Sequence, residues 1–158
     1  MKRPIVALTL LPAPLMAQNL VFDIAPVEAC LEAGGGEDCA GKAAELCIEA
    51  TPGGYTTVGM GACTNRELEW WDARLNTVYK DLRARLRLRD ADAPDHAPKE
   101  AGALLEMQRA WIGFRDARCA FERAQWGGGT GGGPAAISCH LHETARQTQY
   151  LASGVLGD

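Results

Sequence analysis

Thr64–Arg89 reads TNRELEWWDARLNTVYKDLRARLRLR, and the spacing of its apolar residues decides the fold class. Leu68, Trp71, Leu75, Val78, Leu82 and Leu86 follow one another at steps of three, four, three, four and four. That is the stripe of an α-helix, not the alternation of a strand. Thr64, followed three residues later by Glu67, has the form of a capping box. Arg83, Arg85, Arg87 and Arg89 crowd the far end, where cations suit the helix dipole. The stretch predicts one helix over 64–89, about 39 Å long at 1.5 Å per residue.

On the C-terminal side, DADAPDHAP breaks the chain with two prolines. A second long helix is expected over 98–125, with a stripe of Leu104, Met107, Trp111, Phe114, Arg118 and Phe121. Ala103, Ala110 and Ala117 lie beside that stripe, where small side chains let a neighbouring helix come close. The glycines of GGGTGGGP, 127–134, end this helix. A last helix is expected over 135–153, carrying Ile137, Leu141, Thr144, Thr148 and Leu151. On the N-terminal side, TPGGYTTVGMG, 51–61, reads as a loop. Before it, residues 23–49 hold two short helices split by GGGE, with Asp38 as a cap for the second. The sum is an all-α, disulfide-stapled bundle built on a long antiparallel helix hairpin plus a C-terminal helix. Trp71, Leu75, Val78, Leu82, Trp111, Phe114 and Phe121 are its expected core.

The first 17 residues have the form of a secretion signal. MKRP is the positive start, IVALTLLPAPLM the short apolar run, and Ala17 the small residue before the cut. The run is too short and too proline-broken to span a bilayer, which takes roughly 20 apolar residues. The expected product is periplasmic or secreted, with no stable membrane insertion. It comprises a cysteine-rich helical segment, 18–62, and a helical domain, 63–158, in one compact unit. Loss of Lys2 and Arg3 from 16 basic residues leaves 14 against 20 acidic ones, a net charge of −6. Such a chain has no footprint for nucleic acid. The charge either attracts a cationic partner or serves only to keep the chain soluble.

Few residues invite a catalytic interpretation. Arg115 and Asp116 are neighbours and point to different helix faces, so Arg115 is expected to find a carboxylate on the preceding helix: Glu67, Glu69 or Asp72. No nucleophile or base accompanies that arginine. His140 and His142, about 200° apart on a helix, do not share a metal ion easily. His96 stands alone in a loop. Ser138 and Ser153 lack a nucleophile-elbow pattern, and GGGTGGG lacks the Lys and Ser/Thr of a phosphate loop. No CxxC pair occurs among the cysteines. The expectation is a non-enzyme without metal or cofactor.

CTNRELEWWDARLNTVYKDL, then MQRAWIGFRDARCAFE, then a glycine-rich gap and CHLHETARQTQYL, together resemble the lysozyme-inhibitor LprI-like N-terminal domain family. The resemblance rests on Cys63, Leu75, Asn76 and Tyr79. It continues through the run Gln108, Arg109, Trp111, Ile112, Phe114, Arg115, Asp116 and Cys119, and closes with Cys139 and Thr144. It covers about residues 47–153. It implies a small, exported, disulfide-bearing helical domain, with lysozyme inhibition in at least one member. The chain departs from the pattern in its N-terminal segment with Cys30 and Cys39, and in its plain glycine loop.

Six cysteines, all beyond the signal, suit three disulfides in an exported chain, and they admit 15 pairings. The expected pairs are local: Cys30–Cys39, Cys47–Cys63 and Cys119–Cys139, with Cys63–Cys119 as the rival to a local set. The function expected is a periplasmic binding protein, lysozyme-inhibitor-like, whose partner is a basic lysozyme-type protein. The alternative is a cell-envelope structural or interaction module without lysozyme inhibition. A plug for a catalytic cleft would come from 51–61, with Tyr55 at its tip, or from 127–133.

Overall fold

The computed structural model describes residues 19–153; the expected signal segment lies outside the described residues. Among the described residues there are five α-helices and no strand. They are α1 (Ala25–Glu32), α2 (Lys42–Ala50), α3 (Thr57–Asp92), α4 (Glu100–Ala124) and α5 (Gly132–Ala152), with a 3₁₀ turn at Glu37–Cys39. The all-α bundle expected from the sequence is the observed one. α3 is its spine, and α5 packs on α3 more extensively than α4 does.

Two apolar clusters sit along that spine. Around its N-terminal half, Trp71 and Leu141 pack with Val27, Cys39, Ala40, Ala43 and Ala145, so α1 and α2 cover this end. Around its C-terminal half, Leu75, Leu82 and Leu86 meet Ala101, Leu104 and Leu151. Trp71, Leu75 and Leu82 are buried as expected, while Val78 and Trp111 are half-buried. The disulfides are Cys30–Cys39, Cys47–Cys63 and Cys119–Cys139, with Cα separations of 5.6, 5.6 and 5.4 Å. They tie α1 to the 3₁₀ turn, α2 to α3, and α4 to α5. The rival Cys63–Cys119 link does not form.

Phe114 and Phe121 correct the expected core: they are 58% and 64% exposed. Strict alternation of three- and four-residue steps has a period near 3.5, and such a stripe drifts around a straight helix by about 20° per heptad. The face of α4 that enters the bundle instead runs through Leu104, Gln108, Trp111, Arg115 and Cys119. The Cys119–Cys139 bond turns Cys119 inward. Phe121, two residues on, lies about 200° away and must face out.

α3 begins seven residues before the expected start, because Thr56 and not Thr64 is its N-cap. The Thr56 Oγ1 accepts from the Gly59 amide at 3.0 Å. The Thr64 hydroxyl donates to the Met60 carbonyl one turn back, inside the helix. The glycines of 51–61 serve close packing rather than a long loop: a Cβ on Gly59 would lie 2.3 Å from the Gly53 carbonyl oxygen.

Glu67 is fully buried and does not pair with Arg115. Its carboxylate accepts from the Gly41 amide at 2.7 Å, the Ala44 amide at 2.8 Å and the Trp71 indole at 3.1 Å. It therefore caps the N-terminus of α2 from outside, a place where an anion meets unpaired amides and the positive end of the dipole. Asp38 does not cap α2; it accepts from Gly36. Asp90 repeats the device at the other end of α3, taking the Glu100 and Ala101 amides of α4 at 2.8 and 3.0 Å. One helix thus supplies the caps of two others.

Candidate partner-binding surface

The two segments singled out in the sequence come together. The first turns of α3 and the start of α5 lie side by side, and a shallow groove of about 490 Å³ runs between them. Thr57, Val58 and Gly61 line it from one side, and Thr130, Gly133, Pro134 and Ile137 from the other. Tyr55 does not line it; it lies two residues before Thr57 in the chain and is 71% exposed, and Val58 is exposed as well. Gly127 and Gly128 take φ of 55° and 86°, backbone that suits glycine. Gly131 lies under the Trp126 ring, where a Cβ would come within 2.3 Å of the ring. The glycines of this loop therefore set its turn and seat the tryptophan, and α5 starts within them at Gly132.

Asn65 also lines a second groove, of about 330 Å³, with Leu68, Glu69, Asp72, Arg115 and His140. The two grooves thus share one wall on α3. Glu69 is held by Arg66 and Asn65, both at 2.8 Å. Asp72 accepts from Asn76 at 3.1 Å, and no cation lies within 4 Å of it among the described residues. The surface grades from apolar around Val58, Pro134 and Ile137 to acidic around Glu69 and Asp72.

Arg115 departs from expectation in its partner. It pairs with adjacent Asp116, at 3.0 and 2.9 Å, and lies over the Trp111 ring with its guanidinium carbon 5.0 Å from the centroid. Adjacent residues leave a helix on different sides, but the long arginine reaches across Trp111 and folds back to the carboxylate. His140 Nδ1 is 4.0 Å from Asp116. Burial and then the Arg115 charge lower the His140 pKa from its ordinary 6.5, against an opposing pull from Asp116.

The remaining motif residues divide between packing and surface. Leu75 is buried, Tyr79 is half-buried against the second cluster, and Asn76 is exposed on Asp72. Gln108 accepts from Gln147 at 2.9 Å, joining α4 to α5. Arg109 pairs with Glu106 on the surface, and Ile112 is exposed. Arg118, which sequence reasoning had placed on the core stripe, joins Glu143 of α5. Glu143 also holds Arg146, which reaches Glu37 at 2.7 Å. Among the described residues, the group of three ligand-type side chains close enough to share a metal is Cys30, Asp38 and Cys39, and both sulfurs are spent in a disulfide.

Residues 47–151 match the family model described as Lysozyme inhibitor LprI. The match spans α3, α4 and α5 with two of the disulfides, and leaves Cys30 and Cys39 outside it. A Rhodobacter capsulatus protein, named as an uncharacterized 17.7 kDa protein in the puhA 5′ region, is 29% identical over 127 residues, 75% of this chain and 75% of its own. A Rhizobium meliloti (strain 1021) protein, also named as uncharacterized, is 30% identical over 95 residues, 58% of this chain and 68% of its own. No solved structure matches.

Proposed function

The chain belongs to the lysozyme inhibitor LprI family, and from that premise we propose that it is an exported binding protein that captures a basic, lysozyme-type protein. The observation that carries the proposal is the meeting of the Tyr55 turn and the 127–133 loop beside the acidic Glu69–Asp72 wall. An exposed tyrosine just ahead of an apolar groove in the chain suits an interface anchor. Asp72, which no cation among the described residues neutralises, favours a cationic partner, chiefly by raising the rate of encounter. Export is supported by the N-terminal signal pattern and by six cysteines paired in three disulfides. No helix among the described residues is long and apolar enough to cross a membrane.

The test is lysis of cell walls by lysozyme, with and without the mature protein and beside a charge-matched control. Slowed lysis at micromolar protein, lost in Tyr55→Ala, is the expected result. If lysis runs at the control rate at about 10 µM, well above the Kd of a useful micromolar complex, inhibition is excluded. The alternative, an envelope module without lysozyme inhibition, then takes its place.

A further inference from the structure

The alanines of α4 were expected to admit a neighbouring helix, and among the described residues no helix covers them. Ala103, Ala110, Ala117 and Ala124 are exposed, and Phe114 and Phe121 stand between them. Ala103, Ala110, Phe114, Ala117, Phe121 and Ala124 follow at steps of seven, four, three, four and three. They lie on one face over about 32 Å of helix, interrupted once by Glu106 and unbroken from 110 to 124. Phe114 and Arg115, though adjacent, lie about 100° apart around α4, so Arg115 enters the groove toward α3 while Phe114 leaves it. This apolar face is therefore distinct from the acidic surface described above.

We propose that this stripe is the contact face for a second copy of the same chain, in an antiparallel, two-fold symmetric α4–α4 pair. The order small, large, small, large, small over 110–124 is nearly its own reverse. A two-fold axis between positions 117 and 118 sets Phe114 of each copy beside Phe121 of the other. The two Ala117 residues then meet at the crossing, where the backbones need to approach. A pattern that reads alike in both directions is what an isologous interface requires, since each copy must be both lock and key. The Phe114–Phe121 pairs then flank a close approach over Ala117, large beside small along the seam, as helix packing requires.

The charges bordering the stripe also favour a second copy over a basic protein. Arg109 is neutralised by Glu106 at 2.8 Å, and Arg118 by Glu122 at 3.7 Å and by Glu143. The border carries paired charges, so it neither draws a cationic partner nor repels an identical face. A single-helix contact of this length buries on the order of 1,000 Å² in total, the lower end for specific pairs. The dimer should therefore form in the micromolar range and not persist at nanomolar concentration.

Analytical ultracentrifugation of the mature protein from about 1 to about 200 µM, spanning the Kd of a weak pair, tests the proposal. The weight-average mass should climb from that of the monomer toward twice that value. The Phe114→Asp, Phe121→Asp double variant should stay monomeric, with unchanged far-UV circular dichroism because both side chains are exposed. Ala117→Cys should oxidise to a covalent dimer, and Ala120→Cys, on the outer flank, should not. Tyr55→Ala should dimerise like the parent, which separates this proposal from the lysozyme reading. A parent that remains monomeric throughout overturns the proposal, as does a double aspartate variant that dimerises equally well. A monomeric parent that loses lysozyme binding in Phe114→Asp would assign the face to the heterologous partner and equally overturn the second-copy contact.

Discussion

Glu67 and Trp71, one turn apart on α3, are both fully buried, and the Trp71 indole donates to a Glu67 carboxylate oxygen at 3.1 Å. The same carboxylate holds the Gly41 and Ala44 amides at the start of α2. A single side chain thus positions the largest core residue and fastens the N-terminal segment. Glu67→Ala strands three donors at once, two of them buried, and unmade hydrogen bonds to a charged group cost about 1.5–3 kcal/mol each at most, less where neighbours relax. A loss of about 3 kcal/mol or more in a urea melt is expected. Glu67→Gln should fall between that variant and the parent, because one terminal atom becomes a donor facing donors. A loss below about 1 kcal/mol for Glu67→Ala would mean that water replaces the carboxylate and that α2 is not capped from α3.

The aromatic residues give a sharper contrast. Trp71→Ala empties a fully buried site and should cost about 3–5 kcal/mol. Trp111 is only half-buried, so its truncation should cost clearly less than that. Phe121→Ala should stay within about 0.5 kcal/mol when measured in dilute protein, as exposed positions usually do. Equal losses for Trp71 and Phe121 would restore the sequence-derived stripe and refute the observed rotation of α4.

That rotation shows where local sequence stops being informative. The α3 stripe was legible because its apolar residues keep facing the rest of the bundle through five steps. Local disulfides were legible because each expected pair spans a short break between helices. The α4 stripe misled because a run of Leu, Met, Trp and Phe satisfies a helical period on either of two adjacent faces. The inward turn of Cys119 chooses between them, and a periodicity count ignores it. The caps by Glu67 and Asp90 were illegible for another reason: their amides lie 26 and 10 residues away in the chain. The meeting of the Tyr55 turn with the 127–133 loop follows from α3 and α5 starting at one end of the bundle, and no local signal encodes that.

The Cys119–Cys139 bond closes a loop of about 20 residues and should contribute roughly 3 kcal/mol by restricting the unfolded chain. The Cys119→Ser, Cys139→Ser variant should retain its helix content by circular dichroism and melt at lower urea. Because the bond joins α4 to α5 next to the 127–133 loop, backbone amides of that loop should exchange hydrogen faster in the variant. Unchanged exchange there would show that the Arg118–Glu143 and Gln108–Gln147 contacts suffice to hold the two helices.

His140 should make the fold acid-sensitive in a defined window. Its folded pKa lies below the ordinary 6.5, chiefly through burial and the nearby Arg115 charge. Above pH 6.5 the imidazole is neutral in folded and unfolded chains alike, and its contribution does not change. As pH falls below 6.5 the unfolded chain binds the proton first, so stability drops until the folded pKa is passed and then levels off. His140→Asn should flatten the stability profile in that window relative to the parent. A parent and variant with parallel profiles there would show that the imidazole titrates freely in the folded state.

The last prediction separates the two ends of the proposed binding surface by kinetics. If a basic lysozyme-type protein docks here, the acidic wall acts before contact and the Tyr55 turn acts after it. Glu69→Gln with Asp72→Asn should lower the association rate and weaken its salt dependence, since charge governs encounter over roughly a Debye length, about 8 Å at 0.15 M. Both residues are exposed, so the fold should tolerate the change. Tyr55→Ala removes no charge and should leave association nearly unchanged, while dissociation speeds up as an aromatic anchor is lost. Surface plasmon resonance against a basic lysozyme at two salt concentrations reads both rates in one experiment. Loss of affinity in Tyr55→Ala that appears only in the association rate would show that the turn guides encounter and inserts nothing. The plug would then have to come from Thr130 and its neighbours on the opposite side of the groove.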